Sequence, residues 1–166
     1  MRRKLVSKDK QNPRLQRDLA ISLNFLGDVK GAVGDHNGAL AAYNEGLGIV
    51  RLLATQHRVQ RDLAATLDHI GDVKLWNGDR LGAIAAYQES LTILRSLVAL
   101  DPESVQAKTD LVIALTKFAA NADEPAPLFR EALDILRALD GTGKLTAEQK
   151  SWIGMISAQL GDAAPK

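Results

Sequence analysis

The chain contains no cysteine, so disulfides, thiolate metal sites and a cysteine nucleophile are excluded. Aromatic residues are only 4% of it, too few to interleave with basic side chains as a nucleic-acid surface requires. No apolar run reaches the roughly 20 residues of a membrane span. Neither sign of charge dominates, with Lys+Arg 21 against Asp+Glu 20. After the basic start Met1-Arg2-Arg3-Lys4 comes no apolar stretch and no small-residue cleavage site. No secretory signal peptide is therefore expected, and the expected compartment is the cytoplasm. Strand signals are lacking too. What remains is the composition of a soluble all-α protein, 166 residues long and 46% hydrophobic, long enough to bury roughly 70% of its unfolded surface.

The chain repeats itself with a period of 44. Gln16–Ala54 aligns with Gln60–Val98 without a gap, and 22 of the 39 pairs are identical. Gln16-Arg17-Asp18-Leu19-Ala20 recurs at Gln60, Gly27-Asp28-Val29-Lys30 at Gly71, and Ala41-Ala42-Tyr43 at Ala85. Glu45, Leu47, Ile49, Arg51 and Leu53 also return 44 positions on. A worn third copy follows in Thr109-Asp110-Leu111, Leu115 and Phe129–Leu139. It is about six residues shorter between its halves, so its inter-helix turn must differ.

Each copy reads as two helices. Leu19, Leu23, Leu26, Gly27 and Lys30 share one face, and Ala39, Tyr43, Leu47 and Val50 do the same in the second half. Gly34-Asp35 and Gly78-Asp79 end one helix and cap the next. Asn12-Pro13 and Asp101-Pro102 are further cap-and-first-turn pairs, and the period alone places a turn near Thr55–Arg58. Thr146-Ala147-Glu148-Gln149 is a capping box that opens a last helix with Ile153, Ile156 and Leu160 on its apolar face. Such pairs must stack to cover themselves. The expected fold is an α-solenoid of three antiparallel helix pairs with a C-terminal capping helix. Its parts are a basic tail at 1–11, repeats at 12–56, 57–100 and 101–140, and the cap at 145–161.

The repeat resembles the tetratricopeptide repeat family. The family's slots are filled by Leu26-Gly27, Ala39 and Tyr43, and again by Ile70-Gly71, Ala83 and Tyr87. The 44-residue unit is longer than the family's usual 34, Lys30 and Lys74 replace an aromatic, and Arg51 and Arg95 stand where proline commonly ends the unit. The resemblance implies a right-handed superhelix whose first helices line a concave, peptide-binding face.

That face would carry Ile21, Asn24, Phe25, Asp28 and Ala32 in the first copy and Ala65, Asp68, His69, Asp72 and Trp76 in the second. The third would add Ile113, Thr116, Lys117 and Ala120. Most of these positions differ between copies, as expected of a surface reading successive parts of one ligand. The candidate partner-binding residues are Ile21, Asn24, Phe25, Asp28, Asp68, His69, Asp72, Trp76, Thr116 and Lys117. Three carboxylates beside Phe25, His69 and Trp76 suit a peptide with basic and apolar side chains. The carboxylate clamp of some relatives is not expected, because only Asn24 fits it. Each position also has a structural reading. Asp28 and Asp72 could pair with lysine or cap a backbone, Phe25 could lie between helices, and Trp76 suits packing between repeats better than anchoring a ligand. Trp152 is expected to seat the closing helix. Glu45 and Arg51, six apart, cannot pair within one helix and read as a solvated or inter-repeat feature.

No chemistry-bearing constellation is present. His36, His57 and His69 lie in different elements without a second ligand at metal spacing, and Asp68-His69 has no nucleophile beside it. Gly141-Thr142-Gly143-Lys144 lacks the strand and spacing of a phosphate loop. No enzyme activity, cofactor or metal is expected. The seven basic residues among the first 17, against Asp9 alone, form a solubilising tail or an electrostatic arm. The function expected is a non-catalytic protein–protein interaction scaffold, with no specific nucleic acid and no membrane span. The alternatives are a self-associating assembly module and a regulatory domain of a larger protein.

Overall fold

The computed structural model describes residues 12–54 and 57–161, with only the backbone of His57. The basic tail at 1–11 and the turn residues Thr55 and Gln56 lie outside them. Among the described residues there are seven α-helices and no strand. They are α1 Pro13–Ala32, α2 His36–Leu53, α3 His57–Trp76, α4 Arg80–Leu100, α5 Val105–Ala119, α6 Ala126–Gly141 and α7 Ala147–Gln159. The chain divides into two compact units, Met1–Ile93 and Leu94–Lys166. None of the described helices is long and apolar enough to cross a membrane.

In the first unit α1 packs on α2 and α2 on α3. Asn12 opens α1, its side chain accepting from the backbone N–H groups of Arg14 and Leu15 at 3.1 and 3.3 Å. The first hairpin turns at Gly34, whose φ of 83° only glycine adopts freely, and the second repeats this at Gly78 with φ 77°. Asp35 and Asp79 then cap α2 and α4 by accepting from Gly38 N and Gly82 N at 2.8 and 2.9 Å. Lys30 and Lys74 reach over the turns to the same two carboxylates, each at 2.6 Å.

The identical Gly-Asp-Val-Lys blocks have a geometric reason. At Gly27 the first helix meets the ring of Tyr43 so closely that a Cβ would lie 2.5 Å from it. At Gly71 a Cβ would lie 2.6 Å from the Tyr87 ring. Both rings are buried. Around them Ala39, Leu47, Val50, Val59, Leu63, Leu67, Ile70 and Val73 form the core of this unit.

Charged side chains tie neighbouring repeats together. Arg51 donates to both oxygens of Glu89 at 2.8 Å, and in the second unit Arg95 donates to Glu131 at 3.0 and 2.6 Å. The recurring arginine thus serves the next repeat's glutamate. On the first helices, Arg17 Nη2 donates to Asp62 at 3.0 Å and Asn24 Nδ2 to Thr66 Oγ1 at 2.8 Å.

The second unit packs α5 on α6 and α6 on α7. α5 begins later than the Asp101-Pro102 pair predicts. Asp101 accepts instead from Glu103 N at 3.3 Å in a local turn, and Ser104 caps the helix by accepting from Ala107 N at 3.2 Å. The shortening of this copy falls on its helix, since α5 has 15 residues where α1 and α3 each have 20. The link to α6 occupies 120–125 and ends on Pro125 without a side-chain cap. The capping box forms, with Gln149 N donating to Thr146 Oγ1 at 3.2 Å and Thr146 N to Gln149 Oε1 at 2.9 Å. Leu26, expected in the core, is 43% exposed, whereas its counterpart Ile70 is 3% exposed. Ile70 lies against a preceding helix pair; among the described residues α1 has none before it.

Two stability measurements follow. Gly71→Ala must displace a buried ring from a packed hairpin and should cost about 1–3 kcal/mol in urea unfolding; a neutral result removes the close approach as a constraint. Hydrogen bonds from Lys30 and Gly38 N hold the Asp35 carboxyl below its ordinary range, and Lys74 and Gly82 N do so for Asp79. Their contribution is present above the ordinary carboxylate pKa and is lost as pH falls through the lowered one. Replacing both with Asn should therefore flatten the acid limb of a stability–pH profile and lower the neutral-to-alkaline plateau without changing its slope.

Candidate functional site

Five of the ten expected residues converge. Ile21, Asn24, Phe25 and Asp28 of α1 and His69 of α3 line one cleft of about 260 Å³, together with Val50, Asp62 and Ala65. The helical spacing explains the grouping. Residues 21, 24, 25 and 28 share one face of α1, and residues 62, 65 and 69 share the face of α3 turned to it.

The cleft has an apolar part in Ile21, Phe25, Val50 and Ala65 and a polar part in Asn24, Asp28, Asp62 and His69. The polar part is pre-organised. Asp28 Oδ1 accepts from Tyr43 Oη at 2.6 Å and from His69 Nδ1 at 2.8 Å. The His69 ring also stands edge-on to Tyr43, with centroids 5.2 Å apart. Asp62 is held by Arg17 and Asn24 by Thr66. Phe25 is 65% exposed, which settles its position on the open side. The arrangement offers an apolar shelf beside fixed carboxylates. Asp28 and His69 bond to each other and to the hydroxyl of the buried Tyr43. Among the described residues no cluster of three His, Cys, Asp or Glu side chains is placed to hold a metal.

The remaining expected residues separate. Asp68 is 7% exposed, so it is a buried carboxyl and not part of an open face. It is one residue from His69 on a helix, and that step of about 100° turns it inward. Asp72 accepts from Tyr87 Oη at 2.7 Å, a structural partner other than the lysine or backbone cap expected for that position. Trp76 is 60% exposed with its ring 5.0 Å from His36, a contact with the preceding repeat at the hairpin end and away from the cleft. Thr116 belongs to the second unit, and Lys117 is half-buried there.

Thr116 lines a second groove, of about 520 Å³, with Val112, Ile113, Ala120, Phe129, Trp152, Met155, Ile156 and Gln159. Ile113, Thr116 and Ala120 are the third-copy counterparts of Ile21, Asn24 and Asp28. α7 supplies Trp152, Met155 and Gln159 at the same spacing at which α3 supplies Asp62, Ala65 and His69. The last helix thus forms a wall of this groove, and Trp152 takes part in that wall. No charged side chain lines this groove. Ala65 was expected on the concave face, whereas Asp62, Val50 and the α7 residues were not, because matching positions 44 apart does not show which residues of neighbouring helices face one another. The 3-and-4 spacing of 62, 65 and 69 was the available signal. The chain matches no protein-family model and no curated protein.

The two tyrosines of the chain share a further property. Burial, followed by the hydrogen bonds to Asp28 and Asp72, pushes both phenols far above their ordinary value. Their contribution to stability is complete below the ordinary tyrosine pKa near 10 and declines as pH rises beyond it. An alkaline titration followed by phenolate absorbance should show both tyrosines ionising together with loss of helicity. A phenol that titrates normally in the folded protein contradicts the buried Asp–Tyr pairs.

Proposed function

We propose that the chain is a non-catalytic interaction scaffold of tetratricopeptide type, built as an α-solenoid, that binds a peptide segment of a partner protein along its first helices. The observation that carries this reading is the convergence of Ile21, Asn24, Phe25 and Asp28 with His69 on one cleft. Apart from Asp28, which recurs as Asp72, these are positions that vary between otherwise near-identical repeats. Fixed side chains lower the ordering cost of binding, which is where modest interfaces gain affinity. The partner segment carries a basic side chain next to a large apolar one, since carboxylates stand beside Phe25 and Ile21.

The uncharged second groove supports the same use for a different side-chain type. Trp152, Phe129 and Met155 give it the aromatic and methionine content of adaptable binding surfaces. This reading places the protein among modules that position other proteins, with no reaction of its own.

A random peptide library panned on the purified chain should enrich sequences with Lys or Arg adjacent to a large apolar residue. Ala65→Arg, at an exposed cleft position, should weaken the selected peptide by at least about tenfold. Ala85→Arg, exposed on α4, should leave it unchanged. Enrichment of acidic peptides, or equal affinity for the two variants, overturns the cleft assignment.

A further inference from the structure

A second face of α1 is unsatisfied. Phe25, Leu26, Val29 and Val33 follow one another at helical spacing and are 65%, 43%, 63% and 76% exposed. Scattered exposed apolar residues are ordinary, but a contiguous stripe of four marks an interaction surface. The chain itself shows what such a stripe packs against. In α3 the equivalents of Leu26 and Val29, the middle of the stripe, are Ile70 and Val73, both buried together with Thr66, the equivalent of Ser22; those of Phe25 and Val33 are half-buried His69 and exposed Asn77. Ile70 and Val73 belong to the cluster containing Tyr43, Leu47 and Val50 of α2, the helix on which α3 packs. The face is therefore a stacking face, and in α1 its partner helix is missing among the described residues.

The geometry points to a second copy of the chain as the occupant, with two α1 stripes pairing about a twofold axis. Three observations favour it. From Ser22 to Val33 the stripe positions carry no charge, so two copies meet apolar on apolar. The charged residues beside it are already engaged: Arg17 with Asp62, Asp28 with Tyr43 and His69, and Lys30 with Asp35. No unpaired charge is buried when like meets like. The α5–α7 groove, the other apolar surface, is the counterpart of the α1–α3 cleft and not of this face. Docking a stripe into that groove would leave one of each open at the ends, whereas a twofold contact closes.

The stripe shares Phe25 with the peptide cleft, so the pairing is tested at Val29 and Val33, which do not line it. Light scattering and sedimentation of the full chain should show a concentration-dependent rise from 17.9 kDa to twice that mass. Val29→Glu combined with Val33→Glu, both at exposed positions and so compatible with the fold, should weaken the dimer at least about tenfold at unchanged helicity. Because the chain is free of cysteine, Val29→Cys introduces its only thiol, and mild oxidation should give a covalent dimer across the twofold axis. A mass of one chain at every concentration overturns the proposal. So does a dimer indifferent to the two glutamates, or one that the introduced thiol fails to bridge, as an α1-into-groove chain of copies would be.

Discussion

The Tyr43 ring lying on Gly27, and the Tyr87 ring on Gly71, set the distance and angle of the first two helix pairs. A bare Cα lets the ring reach the helix backbone, and the hydroxyl then finds Asp28 or Asp72 one residue further on. Burying a phenol without that partner would cost about 1–3 kcal/mol, so glycine, aspartate and tyrosine form one unit. The third copy changes all three members in step. Phe129 takes the ring position, Ala120 stands where the aspartate was, and Ala119 replaces the glycine. With no hydroxyl to satisfy, no carboxylate is needed.

Between repeats the apolar surface supplies the stability and the charges supply the register. Exposed ion pairs contribute little, on the order of 0–1 kcal/mol each. The Arg51–Glu89 and Arg95–Glu131 pairs are better understood as fixing which turn of one second helix faces which turn of the next. The stacking face of α3 shows the apolar part, with Thr66, Ile70 and Val73 buried against the preceding pair. One helix therefore has two jobs on two faces. In α1 the cleft face holds Ile21, Asn24 and Asp28 against α3, and the stacking face holds Leu26, Val29 and Val33, with Phe25 at their border.

Much of this was legible in the sequence. Identity at a distance of 44 marks the positions where one geometry is built twice, and the Gly-Asp turns, Asn12, Thr146 and the tyrosine core follow from local chemistry. Asp68 misled because spacing alone puts it four residues from Asp72, and a shared face says nothing about whether that face is open. Asp101-Pro102 misled because two cap candidates compete within four residues, and the backbone chose Ser104.

By itself, then, the sequence determined the all-α character, the paired helices, their caps and the positions under common constraint, because each is set by residues within a turn or by a periodic pattern. Only the tertiary structure decided which residues meet across helices. The assignment of Arg51 to Glu89, the joining of His69 to Asp28, and the part of α7 in a cleft wall all depend on how one helix lies against another. So does the contrast between exposed Leu26 and buried Ile70. The two positions have nearly the same side chain beside the same Gly-Asp-Val-Lys block, and among the described residues only Ile70 has a preceding pair of helices to cover it.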